Sequence, residues 1–154
     1  MTRIKHDYVD KKKFYEAMVE YNKDPIEERV ITEYIGKCIL LICQNLANRS
    51  NFRGYSAQWK QEMISDAIEN CMQNINSFNP DMPQKNPFWY FSRVAFNAFR
   101  RRIKIEKRQQ YVMHKNMQNY YLDQKVAEVD KNEVSDKIID DFETYIKRQK
   151  EKKK

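Results

Sequence analysis

The side chains best suited to chemistry in this sequence form an aromatic cluster followed by a basic stripe. Phe88, Trp89 and Tyr90 are consecutive. After them, basic and amide side chains recur mostly at steps of three or four, which places them on one side of a helix. They are Arg93, Asn97, Arg100, Arg101, Lys104 and Arg108. Arginine and lysine neutralise phosphates, aromatic rings stack on unpaired bases, and an asparagine amide reads a base edge. The pattern predicts nucleic-acid binding; the alternative is a solvated basic helix with core aromatics.

An acidic row precedes this stripe. Glu62, Asp66 and Glu69 are spaced by four and three residues, so they share one helix face, on which we expect them to be exposed. Ser65 lies beside them. Charge complementarity fixes register and partner choice, so the row predicts a docking surface for a basic partner helix. The alternative is an ordinary solvated face.

The sequence contains no pattern typical of catalysis or of a metal site. It has no Ser/His/Asp set, no glycine-rich phosphate loop and no HxxxH pair. Cys38, Cys43 and Cys71 form no CxxC pair, and the two histidines, His6 and His114, lie far from them in sequence. We therefore expect no enzymatic activity, no metal and no cofactor, and we interpret the cysteines as reduced thiols packed on apolar helix faces in a cytosol.

The elements that must position these residues are predicted to be helices. Two glycines and four prolines in 154 residues are too few for the turns of a β-sandwich or barrel. Apolar periodicity predicts helices over 26–46, 56–77 and about 87–110, joined by loops at 48–55 and 79–87. In the third helix, one side packs on the core, through Phe91, Ala95, Ala98 and Phe99. The predicted fold is all-α, divided into an N-terminal segment (1–25), a helical domain (26–115) and a C-terminal segment (116–154).

The net charge of +7 is concentrated in two places. Residues 93–115 carry eight basic groups and one acidic group, and residues 147–154 carry six and one. This distribution favours a localised polyanion contact over a generally basic surface. The longest apolar run, 38–43, is too short to span a bilayer, and the first seven residues are too charged for a signal peptide.

The acidic C-terminal segment allows two interpretations. Residues 138–146 mix apolar anchors, including Phe142 and Tyr145, with acids. They form either a short docking peptide or an amphipathic helix, from about Asn132, that packs on the domain. We expect the basic run 147–154 to be a flexible tail.

The order of these parts resembles region 2 of bacterial RNA polymerase sigma factors. The run Glu62-Met63-Ile64-Ser65-Asp66-Ala67 is similar to the core-binding motif of region 2.2, and residues 90–99 resemble the melting and promoter-reading helix. Within that helix, Val94-Ala95-Phe96-Asn97 resembles the signature of the small extracytoplasmic-type factors. Residues 51–55, 59–64, 96–99 and 102–104 are similar to the late-transcription sigma factors of T-even-type phages, and the resemblance covers roughly residues 30–108.

The resemblance implies a function in the cytoplasm of an infected bacterial host. The second helix would bind the coiled coil of the largest subunit of the host core RNA polymerase, through Glu62, Ser65, Asp66 and Glu69. The third helix and the 79–87 loop would open and hold an A/T-rich minus-ten promoter element. In that family, a late co-activator and the sliding clamp supply upstream function, and Phe142 and Tyr145 are similar in kind to the clamp-binding peptide.

Two departures from the sigma pattern shape these expectations. Where many sigma factors carry paired tryptophans, this chain has Arg93 and Val94. Capture of a flipped base then rests on Phe88, Trp89 or Tyr90. The chain after Arg108 shows no helix-turn-helix pattern, so we expect no minus-thirty-five recognition.

Two rival functions remain open at this stage. One is a helical DNA-binding protein that never contacts polymerase. The acidic row disfavours this alternative. The other is a regulatory protein that binds polymerase but no DNA. The basic stripe and the adjacent aromatic residues disfavour this alternative.

Overall fold

The structure, a computed structural model, describes residues 9–81, 86–123 and 133–151. Within these ranges the chain forms helices joined by turns and irregular segments, and it contains no strand. This confirms the predicted all-α class. The helices are α1 (Lys11–Lys23), α2 (Glu33–Ala47), α3 (Ala57–Gln73), α4 (Pro87–Asp123) and α5 (Glu133–Glu151), with 3-10 turns at Ile26–Glu28 and Ile75–Ser77. Among the described helices, none combines the length and the hydrophobicity that a membrane span needs. The chain divides into two compact units, residues 1–102 and 103–154.

The first unit includes an N-terminal helix, α1, that the sequence analysis does not predict. The Asp10 carboxylate accepts hydrogen bonds from the backbone N–H groups of Lys12 and Lys13, both at 3.1 Å, and so caps α1. Phe14 and Met18 on this helix are fully buried, and α1 packs against α2. Part of the predicted N-terminal segment, 1–25, therefore belongs to the core of the first unit.

Helix α2 begins later than the predicted residue 26. Thr32 caps it by accepting a hydrogen bond from the Ile35 backbone N–H at 3.3 Å. The segment before Thr32 is held in another conformation by Arg29, whose guanidinium donates to the Asp24 carbonyl at 2.9 Å. The predicted helical position Val30 is consequently 76% exposed. The apolar periodicity of residues 26–31 was therefore misleading as a helix signal.

Helices α3 and α4 agree more closely with their predictions. Ser56 caps α3 through the Trp59 backbone N–H, and the Asn86 side chain accepts a hydrogen bond from the Phe88 N–H at the start of α4. The predicted inner side of α4 is buried, namely Phe91, Ala95, Ala98 and Phe99. The Phe91 ring stacks on Phe14 at 5.7 Å, so α1 and α4 share one core.

The second unit contains the C-terminal part of α4, which continues beyond residue 110 to Asp123, and α5. The start of α5 agrees with the predicted start near Asn132, and this helix continues to Glu151. The aromatic rings of Tyr111 and Phe142 stack at 4.8 Å and join the two helices. The flexibility predicted for the basic tail stays a prediction, since residues 152–154 lie outside the described residues.

Candidate nucleic-acid and partner interfaces

The structure separates the three consecutive aromatics at the start of α4. Phe88 is buried, whereas Trp89 is 59% exposed. Tyr90 is half-buried, its hydroxyl donates to the Asn74 carbonyl at 3.1 Å, and burial raises the pKa of its phenol. Successive residues on a helix point about 100° apart, so three neighbours cannot share one environment. Trp89 is therefore the ring in this cluster that is available for stacking.

Three polar side chains of the predicted basic stripe lie on the same side of α4 as Trp89. Arg93, Asn97 and Arg100 are exposed, and with Trp89 they follow steps of four, four and three residues, which define one helix face. The guanidinium of Arg100 lies over the half-buried ring of Phe96, 6.0 Å from its centroid. We call these four residues, Trp89, Arg93, Asn97 and Arg100, the α4 outer face. It combines one exposed ring, two cations and one amide.

Arg101 is exposed, as its place in the basic stripe predicted, and it also makes a contact to α3. Its guanidinium donates to the Asn70 side-chain oxygen on α3 at 2.6 Å. The next residue, Arg102, forms two hydrogen bonds to the Asp66 carboxylate, at 2.5 and 2.8 Å. Two adjacent arginines thus hold α4 against α3. The phosphate contact that the sequence predicts for Arg101 stays a prediction.

The acidic row is consequently divided. Glu62, Ser65 and Glu69 are exposed on α3, as expected. The Asp66 side chain is only 27% exposed and pairs with Arg102, so the expectation that Asp66 is freely exposed was wrong. The reason is tertiary, because the partner comes from another helix. The surface available to a basic partner carries two carboxylates and a hydroxyl.

The last two residues of the predicted basic stripe belong to the second unit. Lys104 and Arg108 are both exposed there. Arg108 lines a shallow groove of about 790 Å³, and the apolar part of its lining includes Val112, Met113 and Met117. The phosphate contacts predicted for Lys104 and Arg108 stay predictions.

The predicted clamp-binding residues, Phe142 and Tyr145, lie on α5 in the second unit. Phe142 stacks on Tyr111, and the Lys107 ammonium lies 4.8 Å from the centroid of the Tyr145 ring. Glu143 accepts a hydrogen bond from the Tyr111 hydroxyl at 3.4 Å. This segment packs on the C-terminal part of α4 as an amphipathic helix, one of the two interpretations left open. Clamp binding stays a prediction.

Sequence reasoning missed the contribution of α1 to the aromatic cluster. The Lys11 ammonium lies 5.0 Å from the ring centroid of Phe88 and 5.6 Å from that of Trp89. Beside it runs a shallow groove of about 510 Å³ lined by Lys11, Lys12, Tyr15 and Asn86. The signal available in the sequence was the run of three lysines at 11–13, but nothing local connects it to residue 89.

The cysteines are consistent with a packing role. All three are buried and unbridged. The Cys71 thiol donates to the Phe91 carbonyl at 3.7 Å, and its pKa is raised by a hydrogen bond with Cys43 and by burial. In the described part of the chain, no group of three or more His, Cys, Asp or Glu side chains is arranged to hold a metal ion.

Comparison of the chain with protein-family models gives no match, and comparison with curated proteins gives none either. The resemblance to sigma factors therefore rests on the sequence runs quoted above and on the residue types they bring to α3 and α4.

Proposed function

We propose that this protein is a sigma factor of the region-2 type for phage late transcription. It binds the host core RNA polymerase and recognises and melts an A/T-rich minus-ten promoter element. It acts in the cytoplasm of the infected bacterium, together with a late co-activator and the sliding clamp. It makes no covalent change to DNA.

The observation that carries the proposal is the composition of the α4 outer face. An exposed tryptophan, two exposed arginines and an exposed asparagine follow one another on a helix whose opposite side is fixed in the core. A stacking ring serves unpaired bases, arginines serve phosphates, and an amide serves a base edge. A helix that needed only to bind duplex phosphates would gain nothing from an exposed indole.

The polymerase contact is assigned to the exposed members of the acidic row, Glu62, Ser65 and Glu69. In this assignment Asp66 acts indirectly, by holding Arg102 and with it the position of α4 relative to α3. One helix would then face the polymerase while its neighbour faces the promoter. Positioning of a site by rigid, packed helices is more precise than positioning by loops.

Run-off transcription with host core RNA polymerase tests the proposal directly. We expect a discrete transcript from an A/T-rich minus-ten template only when the protein is added. A template with a G/C-substituted minus-ten element is the matched control. Binding of DNA without any transcript would favour the rival DNA-binding function, and binding of polymerase without DNA would favour the regulatory one.

The polymerase contact has its own test. Glu62→Lys with Glu69→Lys is expected to abolish co-purification with core polymerase and to leave the helical content unchanged. Both positions are exposed, so the folding penalty is expected to stay within about 0.5 kcal/mol each. Glu27→Lys with Glu28→Lys makes the same charge change on the exposed 3-10 turn and serves as the control. Undiminished binding of the first pair would overturn the assignment.

Strand capture is tested with duplex and pre-melted templates. Trp89→Ala is expected to lower activity on both templates if Trp89 holds a flipped base, because stacking needs the unpaired base in either case. A residue needed only to open the duplex would be rescued by the pre-melted template. Tyr90→Phe removes a hydroxyl bonded to Asn74 and is the control with little expected effect on capture. Permanganate footprinting of melted thymines reads out the difference.

A further inference from the structure

The α1 groove is lined by Lys11, Lys12, Tyr15 and Asn86. Asn86 belongs to the 79–87 loop assigned above to the promoter, whereas the three residues of α1 belong to no set assigned above to DNA or polymerase. The groove is contributed by two helices that are distant in sequence, α1 and the start of α4. Lys11 and Lys12 are exposed, and Tyr15 and Asn86 are half-buried. The groove therefore offers two cations and two polar side chains at one shallow depression.

The groove adjoins the exposed indole of Trp89. The Lys11 ammonium is 5.6 Å from the Trp89 ring centroid, within the range of a cation–π interaction. This contact occupies one side of the ring, and the indole is still 59% exposed. A cation and an available aromatic surface thus lie side by side, as a phosphate and its base do in a nucleotide.

The charge of this region is unfavourable for the isolated helix. Lys11, Lys12 and Lys13 fill the first turn of α1, which contains no acidic residue. Cations at this end of a helix are unfavourable, because they oppose the helix macrodipole. The carboxylate of Asp10 is directed to the backbone N–H groups of Lys12 and Lys13. The three lysines add to the positive potential of the groove. An anionic ligand would offset this unfavourable charge.

We propose that the α1 groove is a subsite for single-stranded DNA, in which Lys11 and Lys12 hold a phosphate and the adjoining base stacks on Trp89. The inference rests on the proposed function for the role of Trp89 and extends the DNA site from α4 to α1. Single-stranded DNA is favoured over duplex DNA because the bases of a duplex are already stacked on one another. It is favoured over an acidic polypeptide because side-chain carboxylates would leave the indole unused.

Direct binding to a labelled oligonucleotide tests this subsite without polymerase. The full chain is titrated into fluorescein-labelled single-stranded oligothymidylate at about 50 mM salt, where phosphate contacts contribute most, and anisotropy is measured. Lys11→Gln and Lys12→Gln are each expected to weaken binding several-fold and to shallow the salt slope by about 0.7. Lys37→Gln, at an exposed position of α2, is the matched control with unchanged binding. Trp89→Ala is expected to weaken binding roughly 5- to 100-fold.

The location of the oligonucleotide is read from the indole itself. In a Trp59→Phe background, Trp89 is the remaining tryptophan, and its emission is expected to be quenched by the single strand and not by the matching duplex. Lys11→Gln and Lys12→Gln would shift this quenching to higher oligonucleotide concentration. Equal binding by the lysine variants and Lys37→Gln would overturn the subsite. Quenching by polyglutamate as strong as that by the oligonucleotide would also overturn it, in favour of an acidic polypeptide.

Failure of this inference is distinguishable from failure of the proposed function. If run-off transcription succeeds while both lysine variants bind the oligonucleotide like Lys37→Gln, the subsite alone is wrong. If the lysine variants lose oligonucleotide binding while the wild-type protein supports no transcription, the sigma assignment alone is wrong.

Discussion

The two compact units of this protein hold their candidate functional side chains in contrasting ways. In the first unit, the α4 outer face lies on a helix whose opposite side is fixed by fully buried Phe14, Phe91 and Phe99. In the second unit, Ile103 and Ile139 are the apolar side chains that are buried among the described residues. Phe142 and Tyr145 are held there by ring contacts at the surface.

This difference indicates which surface is preorganised and which can be released. A side chain on a well-packed helix keeps its orientation before a partner arrives, which lowers the entropic cost of binding. A helix held by few buried contacts opens at a smaller free-energy cost. We infer that the α4 outer face is presented rigidly, whereas the α5 rings can separate from α4 at a smaller free-energy cost.

The largest expected effect contrasts one phenylalanine from each unit. Phe91→Ala removes a fully buried ring that stacks on Phe14, and we expect the free energy of unfolding to fall by about 3–5 kcal/mol. Phe142→Ala removes a half-buried ring paired with Tyr111, with an expected loss of about 0.5–1.5 kcal/mol. Urea denaturation followed by circular dichroism measures both. Similar losses for the two variants would contradict the proposed difference in packing.

The second effect concerns the acidic row within the first unit. Asp66→Ala is expected to lower the free energy of unfolding by about 1–3 kcal/mol, because it removes the carboxylate that accepts two hydrogen bonds from the partly buried Arg102 guanidinium. Glu62→Ala, at an exposed position on the same helix, is expected to change it by no more than about 0.5 kcal/mol. Double-mutant cycles of Asp66→Ala with Arg102→Ala isolate the pair. Equal effects at 66 and 62 would mean that Asp66 is merely another surface acid.

The third effect tests whether the α4 outer face both discriminates between base pairs and positions the DNA through its phosphates. Asn97→Ala is expected to relax discrimination at one base pair of the minus-ten element by about 1–3 kcal/mol. Arg100→Ala is expected to weaken open-complex binding on all promoters alike and to shallow the salt slope by about 0.7–0.9. Competition binding over a set of single-base promoter variants separates the two. One uniform defect for both variants would reduce α4 to an electrostatic clamp and shift sequence reading to the 79–87 loop, of which 82–85 lie outside the described residues.

The smallest expected effect lies in the second unit. Phe142→Ala with Tyr145→Ala is expected to leave basal initiation intact and to remove the stimulation that depends on the sliding clamp. Run-off assays with and without the clamp measure both activities. Lys147→Gln with Arg148→Gln alters exposed positions of the same helix and is the control. Parallel loss of basal and stimulated transcription would show that α5 serves the folded structure and not a partner.

Much of the fold followed from local sequence. The inner side of α4 was predicted residue by residue, because helical spacing of apolar side chains reflects burial directly. Ser56 and Asn86 cap α3 and α4 close to the predicted starts. Local pattern misled at residues 26–31, where apolar spacing favoured a helix, but the cap at Thr32 and the contacts of Arg29 fix another conformation.

The sequence by itself determined the all-α class, the two helices that carry acidic and basic side chains, and the outward direction of Arg93, Asn97 and Arg100. These are matters of composition and period, which neighbouring residues settle. Tertiary structure alone decided that Asp66 pairs with Arg102, that Arg101 is bound by Asn70, and that Lys11 lies beside Trp89. Each of these contacts joins helices separated by many residues along the chain, and a side chain's spacing on its own helix carries no information about which partner a neighbouring helix will bring to it.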